Sequence, residues 1–494
     1  MSVEIFNMDI VNKNIIANYL GKLWSFVSIF IFIRFYIDIL GVQSYAVINF
    51  YAVILGLLAF ADAGLTATLN RELANDISLQ NKSDLVFTFE RIYLGISLFV
   101  MILVYVLSDY ISCNFLNSTE FSRHEISRFI KFIGVGVGLQ LFSTLYEGGL
   151  MGLQKQVLTN KVRMVWSLFR SGVVVIPLSS YPSLEVYFVW QIVCNLAFLV
   201  VLKVLISKCL KTEMTAVFSK EMLRKTWSYA LGMMGIAFVS AINIQIDKLA
   251  TSKLLDLKSF GFYSLATTIA QIPVLVVMPI IVAVFPMFSL LVSTNNIEKK
   301  TNNFHKFSFI ITLIAAPIMV CIFLYSIPIV KLWTGDSSIA VAINLTVKIL
   351  IVGSFFLCLQ LMPYYIALAN GHTKTNIITG VLSLLLVVPL IIYSIKEYGM
   401  VGATFPWLIV NILSFFIISV SVLNRFLPNE LIKWLKHDIA IPLFVTIFIA
   451  VLVYYLTLNL IGKYWFLIDI SLISLLSLIV NVLIYNKLNK KYLF

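Results

Sequence analysis

The sequence predicts an all-α integral membrane protein with about 14 transmembrane helices. Three observations predict it. Apolar residues make up 60% of the 494-residue chain and charged residues only 12%, about half the charged share of a soluble domain. The apolar residues fall in runs of roughly 20 or more, the length that crosses about 30 Å of hydrocarbon, and none shows the strict alternation of a barrel strand. A pattern in the first half returns in the second, at an offset of about 215 residues that contains six runs.

Taken in order, the runs lie at about 15–37, 44–67, 86–107, 129–150, 162–180 and 184–206, then about 226–246, 260–290, 307–329, 339–368, 376–395 and 400–423, then about 439–460 and 464–486. They predict a six-helix lobe over 1–210, a second six-helix lobe over 211–425, and two additional helices with a basic tail over 426–494. The connecting loops are too short to form a soluble domain. An offset of six spans gives both lobes the same orientation, related by a pseudo-twofold along the membrane normal. Pro273, Pro279 and Pro286 punctuate the eighth run. There they are either ordinary membrane-helix prolines or a bending point.

Loop charge sets the expected orientation. With the N-terminus inside, cytoplasmic segments hold about 22 Lys and Arg and outer segments about 9, so both termini are expected in the cytoplasm. The net charge of +13 is then that of inner loops, and nucleic acid is not an expected partner. The first run is too long for the apolar core of a cleavable signal, and it is expected to stay as the first helix. Five scattered cysteines with no Cys-x-x-Cys pair predict neither a disulfide framework nor a zinc site. The four histidines have no metal-ligand spacing, and no cofactor is expected.

The stretch 40–74 carries the repeat. Leu40-Gly41-Val42-Gln43-Ser44-Tyr45-Ala46 aligns with Leu255-Asp256-Leu257-Lys258-Ser259-Phe260-Gly261, and Gly152-Leu153-Gln154-Lys155 aligns with Gly371-His372-Thr373-Lys374. The same stretch, with Asp62-Ala63-Gly64-Leu65 and Arg71-Glu72-Leu73-Ala74, resembles the polysaccharide transporter family. These are the Wzx-type flippases of the multidrug/oligosaccharidyl-lipid/polysaccharide exporter superfamily. The resemblance continues at Gly152-Leu153-Gln154-Lys155, at Asp247-Lys248-Leu249 through Ala266, and at Phe285-Pro286-Met287-Phe288-Ser289. One departure is Val42-Gln43-Ser44, where the family often has an acid. The resemblance implies two six-helix lobes around a central cavity that opens alternately to each side. It also implies a cargo, an undecaprenyl-diphosphate-linked repeat unit of O-antigen or capsule, moved from the inner to the outer leaflet of the cell inner membrane.

Ionisable side chains inside membrane spans are costly and usually face a bundle interior or a hydrated path. Arg170, well inside the fifth span with Trp166 and Arg163 on about the same face, is the first candidate to bind an anionic diphosphate. A guanidinium holds a pair of phosphate oxygens bidentately, and the other reading is an interhelical pair. Lys348 is a second candidate, for a phosphate or sugar carboxylate. Lys22 closes a polar stripe with Asn14 and Asn18, and either lines a hydrated path or snorkels to the inner interface. Arg34 reads as a substrate contact or as half of an ion pair with Asp38. Arg91, beside Glu90, reads as interfacial. Asp62, Glu147 and Asp247 are the candidates for ion coupling or gating. For Asp62 the alternative is structural, either capping a short break before Arg71 or pairing with a neighbouring helix. Val277 stands where the second repeat would place its counterpart.

A lipid-linked oligosaccharide flippase working by alternating access is therefore expected, not an enzyme. Coupling is by H+ or Na+ antiport, or absent. Membrane lipids and glycan polymerase or assembly proteins are its expected partners. A cation-coupled multidrug exporter would favour an acidic rather than a basic interior. A glycan polymerase or acyltransferase would need a large outer loop with clustered catalytic residues, and the runs leave no room for one.

Overall fold

The computed structural model describes residues 8–75, 77–210, 216–294, 296–372, 374–457 and 465–488. It divides into two compact units, Met1–Gly261 and Phe262–Phe494. The first holds α1 (Met8–Leu58), α2 (Phe60–Ala74), α3 (Leu79–Asn114), α4 (Arg123–Gly152), α5 (Gln156–Leu168), α6 (Val175–Ser180), α7 (Leu184–Cys209) and α8 (Lys220–Leu254). The boundary between units falls within α9 (Leu257–Ala270). The second unit continues with α10 (Ile272–Ser293), α11 (Ile297–Thr334), α12 (Ser337–Ala369), α13 (Lys374–Gly402), α14 (Thr404–Phe426), the short α15 (Leu431–Lys433), α16 (Ile441–Thr457) and α17 (Trp465–Leu488).

Helix starts follow local chemistry. Ser78 accepts from the Asn81 N–H at the head of α3, and Ser122 and Glu125 form a reciprocal capping box on α4. Both satisfy backbone donors that a helix N-terminus leaves orphaned. Gly335, at φ 78°, closes α11 in the left-handed conformation that favours glycine.

Among the described residues, 12 helices are long and apolar enough to cross a membrane. The difference from the 14 expected spans arises at two places. The first two runs lie largely on one helix, α1, which Gly41 breaks at φ 82°. The seventh run lies on α8, which is long enough at 35 residues, but most of its first half lies outside the residues whose side chains are described. The eighth run is not one helix: the chain breaks at Gln271 between α9 and α10, and Pro273 falls in the first turn of α10, where a missing N–H costs nothing.

In the first unit the most buried span is α4, packed against α2, α3 and α7. Ile130, Ile133, Val137 and Leu141 of α4 meet Val47, Phe50 and Tyr51 of α1. Further along, Leu145, Tyr146 and Leu150 meet Leu65, Leu69, Phe89 and Leu202. Helix α7 shows the complementary property: Val189, Val193, Leu196, Val200 and Val204 on one stripe are exposed. Exposed aliphatic side chains at that spacing suit hydrocarbon rather than water. In the second unit α11 and α12 are the most buried spans, and α16 and α17 pack on α11.

The two matched turns of the sequence repeat touch within the first unit. Gln43 is buried. It donates to the Thr119 hydroxyl at 3.0 Å and accepts from that of Ser118 at 2.9 Å, so an amide does in this turn what a carboxylate alone does not, donating as well as accepting. Leu257 N–H donates to Asn117 O at 2.7 Å. A side chain at Gly261 would meet Val42 O at 2.8 Å, so this approach requires glycine.

Candidate functional site

Helices α5 and α6 run on through a π-helical turn, Phe169–Val173. Such turns are single inserted residues in α-helices and often mark functional positions. Arg170 lies in this one. Its Nε donates to Gln191 Oε1 at 2.5 Å, and its guanidinium sits over the rings of Trp166 at 5.0 Å and Tyr51 at 5.4 Å. Among the described residues no carboxylate forms an ion pair with it. Tyr51 donates to Gln140 Oε1 at 3.0 Å and accepts from Asn195 Nδ2 at 3.1 Å. Arg170 thus heads a polar patch of Tyr51, Gln140, Gln191 and Asn195. A cation over two aromatic faces, with its planar fork held by one amide, makes contacts that offset part of its desolvation.

The other candidates of this unit fall into separate groups. Arg163, though near Arg170 in sequence, pairs with Glu147 at 2.7 Å, both half-buried. Asp62 accepts hydrogen bonds from the hydroxyls of Thr66, one turn on, and Tyr93, on α3. Those two hydroxyls are themselves 2.6 Å apart. The helix does not stop where the second run was expected to end. It continues to Ala74, so Asp62 lies about three turns inside its end, and the break is at Ala59, before Asp62. The expected cap before Arg71 is therefore not its task, because Arg71 is itself in the last turn of α2. Glu90 accepts from Tyr146 at 2.7 Å. Arg91 sits over the Phe87 ring at 4.9 Å. Arg34 pairs with Asp38 at 3.6 Å, and both are half-exposed. Asp247 is half-buried on α8. The side chain of Lys22 lies outside the described residues.

In the second unit Lys348 is half-buried on α12, its Nζ 5.5 Å from the Phe323 ring centre. Among the described residues it forms no ion pair.

The structure also brings together groups that sequence reading left scattered. His305 on α11 contacts Asp438 Oδ2 at 2.5 Å and Glu430 Oε2 at 3.1 Å, and Lys433 pairs with Glu430 at 3.0 Å. Asp438 is fully buried in a second π-helical turn, Trp434–Ala440. Asp469 accepts from Tyr325 at 3.0 Å and from Thr457 at 3.1 Å. Gln191 and Asn195 had a readable signal, two amides one turn apart on an apolar helix. The partners of His305, more than 120 residues away in sequence, had none.

Long apolar helices with cations and acids set into them are those of a multi-pass membrane protein. The chain belongs to the polysaccharide biosynthesis protein family, whose model matches residues 11–292. A second model, MatE, matches residues 233–393. A "Putative O-antigen transporter" from Shigella flexneri is 22% identical over 376 residues, which are 74% of this chain and 87% of that one. Among solved structures, lipid II flippase MurJ in an inward closed conformation has a TM-score of 0.73 at 16% identity, covering 96% of this chain and 98% of that chain. An inward-facing multidrug resistance MATE family transporter of the MOP superfamily has a TM-score of 0.61 at 16% identity, covering 84% and 96%. These likenesses establish the fold. Fold and family together are those of a Wzx-type polysaccharide transporter of that superfamily and not of an enzyme.

Proposed function

We propose that this protein is a flippase that carries an undecaprenyl-diphosphate-linked oligosaccharide, an O-antigen or capsule repeat unit, from the inner to the outer leaflet of the inner membrane by alternating access. The observation that carries the reading is Arg170: a membrane-embedded guanidinium, stacked on Tyr51 and Trp166, without an ion-pair partner among the described residues. A diphosphate and glycan do not cross about 30 Å of hydrocarbon unaided. A cation that binds the diphosphate lowers that barrier while the polyprenyl tail stays in lipid. Lys348 supplies a second anion contact in this reading, and Arg34 and Lys22 stand as further candidates. Asp62 on α2, Glu147 on α4 and Asp247 on α8 are the groups available for H+ or Na+ coupling or gating, because a carboxylate set into a membrane helix is costly and tends to face a hydrated path. The lobes are 1–210 and 211–425, with 426–494 as added helices and both termini in the cytoplasm. Glycan polymerase or assembly proteins are the partners that would take up the product.

The test is Arg170→Ala in a strain lacking the wild-type gene, with surface glycan measured at matched protein level. Removing a charge-assisted contact of roughly 1.5–3 kcal/mol predicts a fall of about 10-fold or more. Full surface glycan would remove Arg170 from the mechanism. A second reading, a cation-coupled multidrug exporter, is favoured by the MatE match over 233–393. It predicts altered sensitivity to cationic drugs on deletion, with the lipid-linked glycan pool unchanged.

A further inference from the structure

The π-helical turn that carries Arg170 is held by side chains from two other helices. An inserted residue disturbs the regular carbonyl ladder of a helix, and backbone groups at membrane depth must then find partners within the protein. Three successive carbonyls of this turn have such partners. Trp190 Nε1 donates to Phe169 O at 2.9 Å, Gln191 Nε2 to Arg170 O at 3.1 Å, and the Tyr36 hydroxyl to Ser171 O at 2.5 Å. Trp190 and Gln191 are neighbours on α7, and Tyr36 is on α1. Gln191 and Tyr36 are 2% and 4% exposed, so neither has water as an alternative partner. Close approach of α1 is permitted by Gly172, where a Cβ would come 2.6 Å from the Phe32 ring, one helical turn before Tyr36.

Gln191 does two things at once. Its NH2 holds the Arg170 carbonyl, and its oxygen holds Arg170 Nε at 2.5 Å. This two-point clasp ties the side chain to its own backbone. It occupies Nε and, among the described residues, leaves the two terminal guanidinium nitrogens without a hydrogen-bond partner. Those two nitrogens are one edge of the planar fork, an edge that binds two oxygens of one phosphate.

We propose that Tyr36, Trp190 and Gln191 are positioning residues: they hold the π-helical turn and so aim the terminal nitrogens of Arg170 at a phosphate of the cargo. This rests on the flippase reading given above and adds to it how the cation is presented. Pre-set orientation matters because a free arginine side chain pays rotamer entropy each time it forms a bidentate contact.

The experiment uses full-length protein in lipid nanodiscs, with undecaprenyl diphosphate as the probe and dissociation constants measured for Gln191→Leu, Trp190→Phe and Arg170→Ala, singly and combined. Each clamp variant is expected to weaken binding about 10-fold. In the Arg170→Ala background the same changes are expected to add less than about 2-fold, because residues that act through one group are not additive. Losses that multiply in the double variants would overturn the clamp and leave Arg170 as a binding residue. Parental affinity in Gln191→Leu and Trp190→Phe, with Arg170→Ala weakened, would overturn it too. Parental affinity in Arg170→Ala would remove the phosphate reading and the clamp together. If Gln191→Leu does not fold, Trp190→Phe, which keeps an aromatic ring and loses the donor, carries the comparison.

Discussion

Asp62 shows how much a single buried acid constrains. Its carboxylate is the acceptor for Thr66 and Tyr93, and Tyr93 is 1% exposed. The Tyr93 hydroxyl has no water to turn to and depends on Asp62, Thr66 and Thr144 for its hydrogen bonds. Asp62→Asn keeps an acceptor oxygen of nearly the same shape. Asp62→Leu keeps none and leaves one hydroxyl donor unsatisfied, at roughly 1–3 kcal/mol. The leucine variant is expected to melt several degrees below the parent in detergent, and the asparagine variant within about 2 °C of it. Surface glycan in the asparagine strain then separates the two roles of this residue: a well-folded protein that no longer exports glycan assigns Asp62 to coupling, and undiminished export confines it to holding α2 against α3. Arg170 differs in kind. Among the described residues its side-chain contacts are two ring faces and one amide and it forms no ion pair, so its loss is expected to appear in transport before stability.

At the scale of elements, the second unit is tied to its C-terminal helices by polar groups rather than by area alone. His305 of α11 bridges Asp438 and Glu430 around the start of α16, with the nearby Trp434 ring buried against Phe304 and Phe415. Between helices in a bilayer the hydrophobic effect is weak, because lipid tails are as apolar as leucine, and hydrogen bonds and close packing decide association. His305→Ala removes the shared partner of two carboxylates, one of them fully buried. A loss of roughly 3–5 kcal/mol is expected, measured as a fall in melting temperature, with His305→Gln intermediate because it retains a donor. An unchanged melting temperature would show that packing of Trp434 alone holds these helices. The bridge also shows where sequence reading stops. Apolar runs, caps such as Ser122 with Glu125, and the repeat at Leu40 and Leu255 are local or periodic, so the fold class and most spans were legible. A histidine and an aspartate 133 residues apart carry no such mark. The π-helical turn at Arg170 has no distinguishing composition either. The residue was legible as an intramembrane cation, but its clasp by Gln191 was not, because one inserted residue re-aims a side chain without changing hydropathy. The end of the second run was misplaced for a related reason: Asn70, Arg71 and Glu72 ended the apolar pattern, while the backbone stayed helical to Ala74.

For the whole molecule, the cysteines of the chain can report without engineering which end faces which side. Cys194, Cys321 and Cys358 are buried, whereas Cys113 is exposed at the end of α3 and Cys209 is partly exposed at the end of α7. Helices α3, α4, α5 with α6, and α7 follow one another as successive crossings, each long enough to span by itself. Cys113 lies after the first of these crossings and Cys209 after the fourth, so the two thiols must be on opposite sides. The Lys and Arg bias predicts that Cys209, close in sequence to Lys203, Lys208 and Lys211, faces the cytoplasm. A membrane-impermeant maleimide applied to intact spheroplasts is therefore expected to label Cys113 and spare Cys209, and lysis is expected to expose Cys209. The reverse pattern would invert the orientation. Labelling of both thiols in intact cells would contradict the four successive crossings themselves.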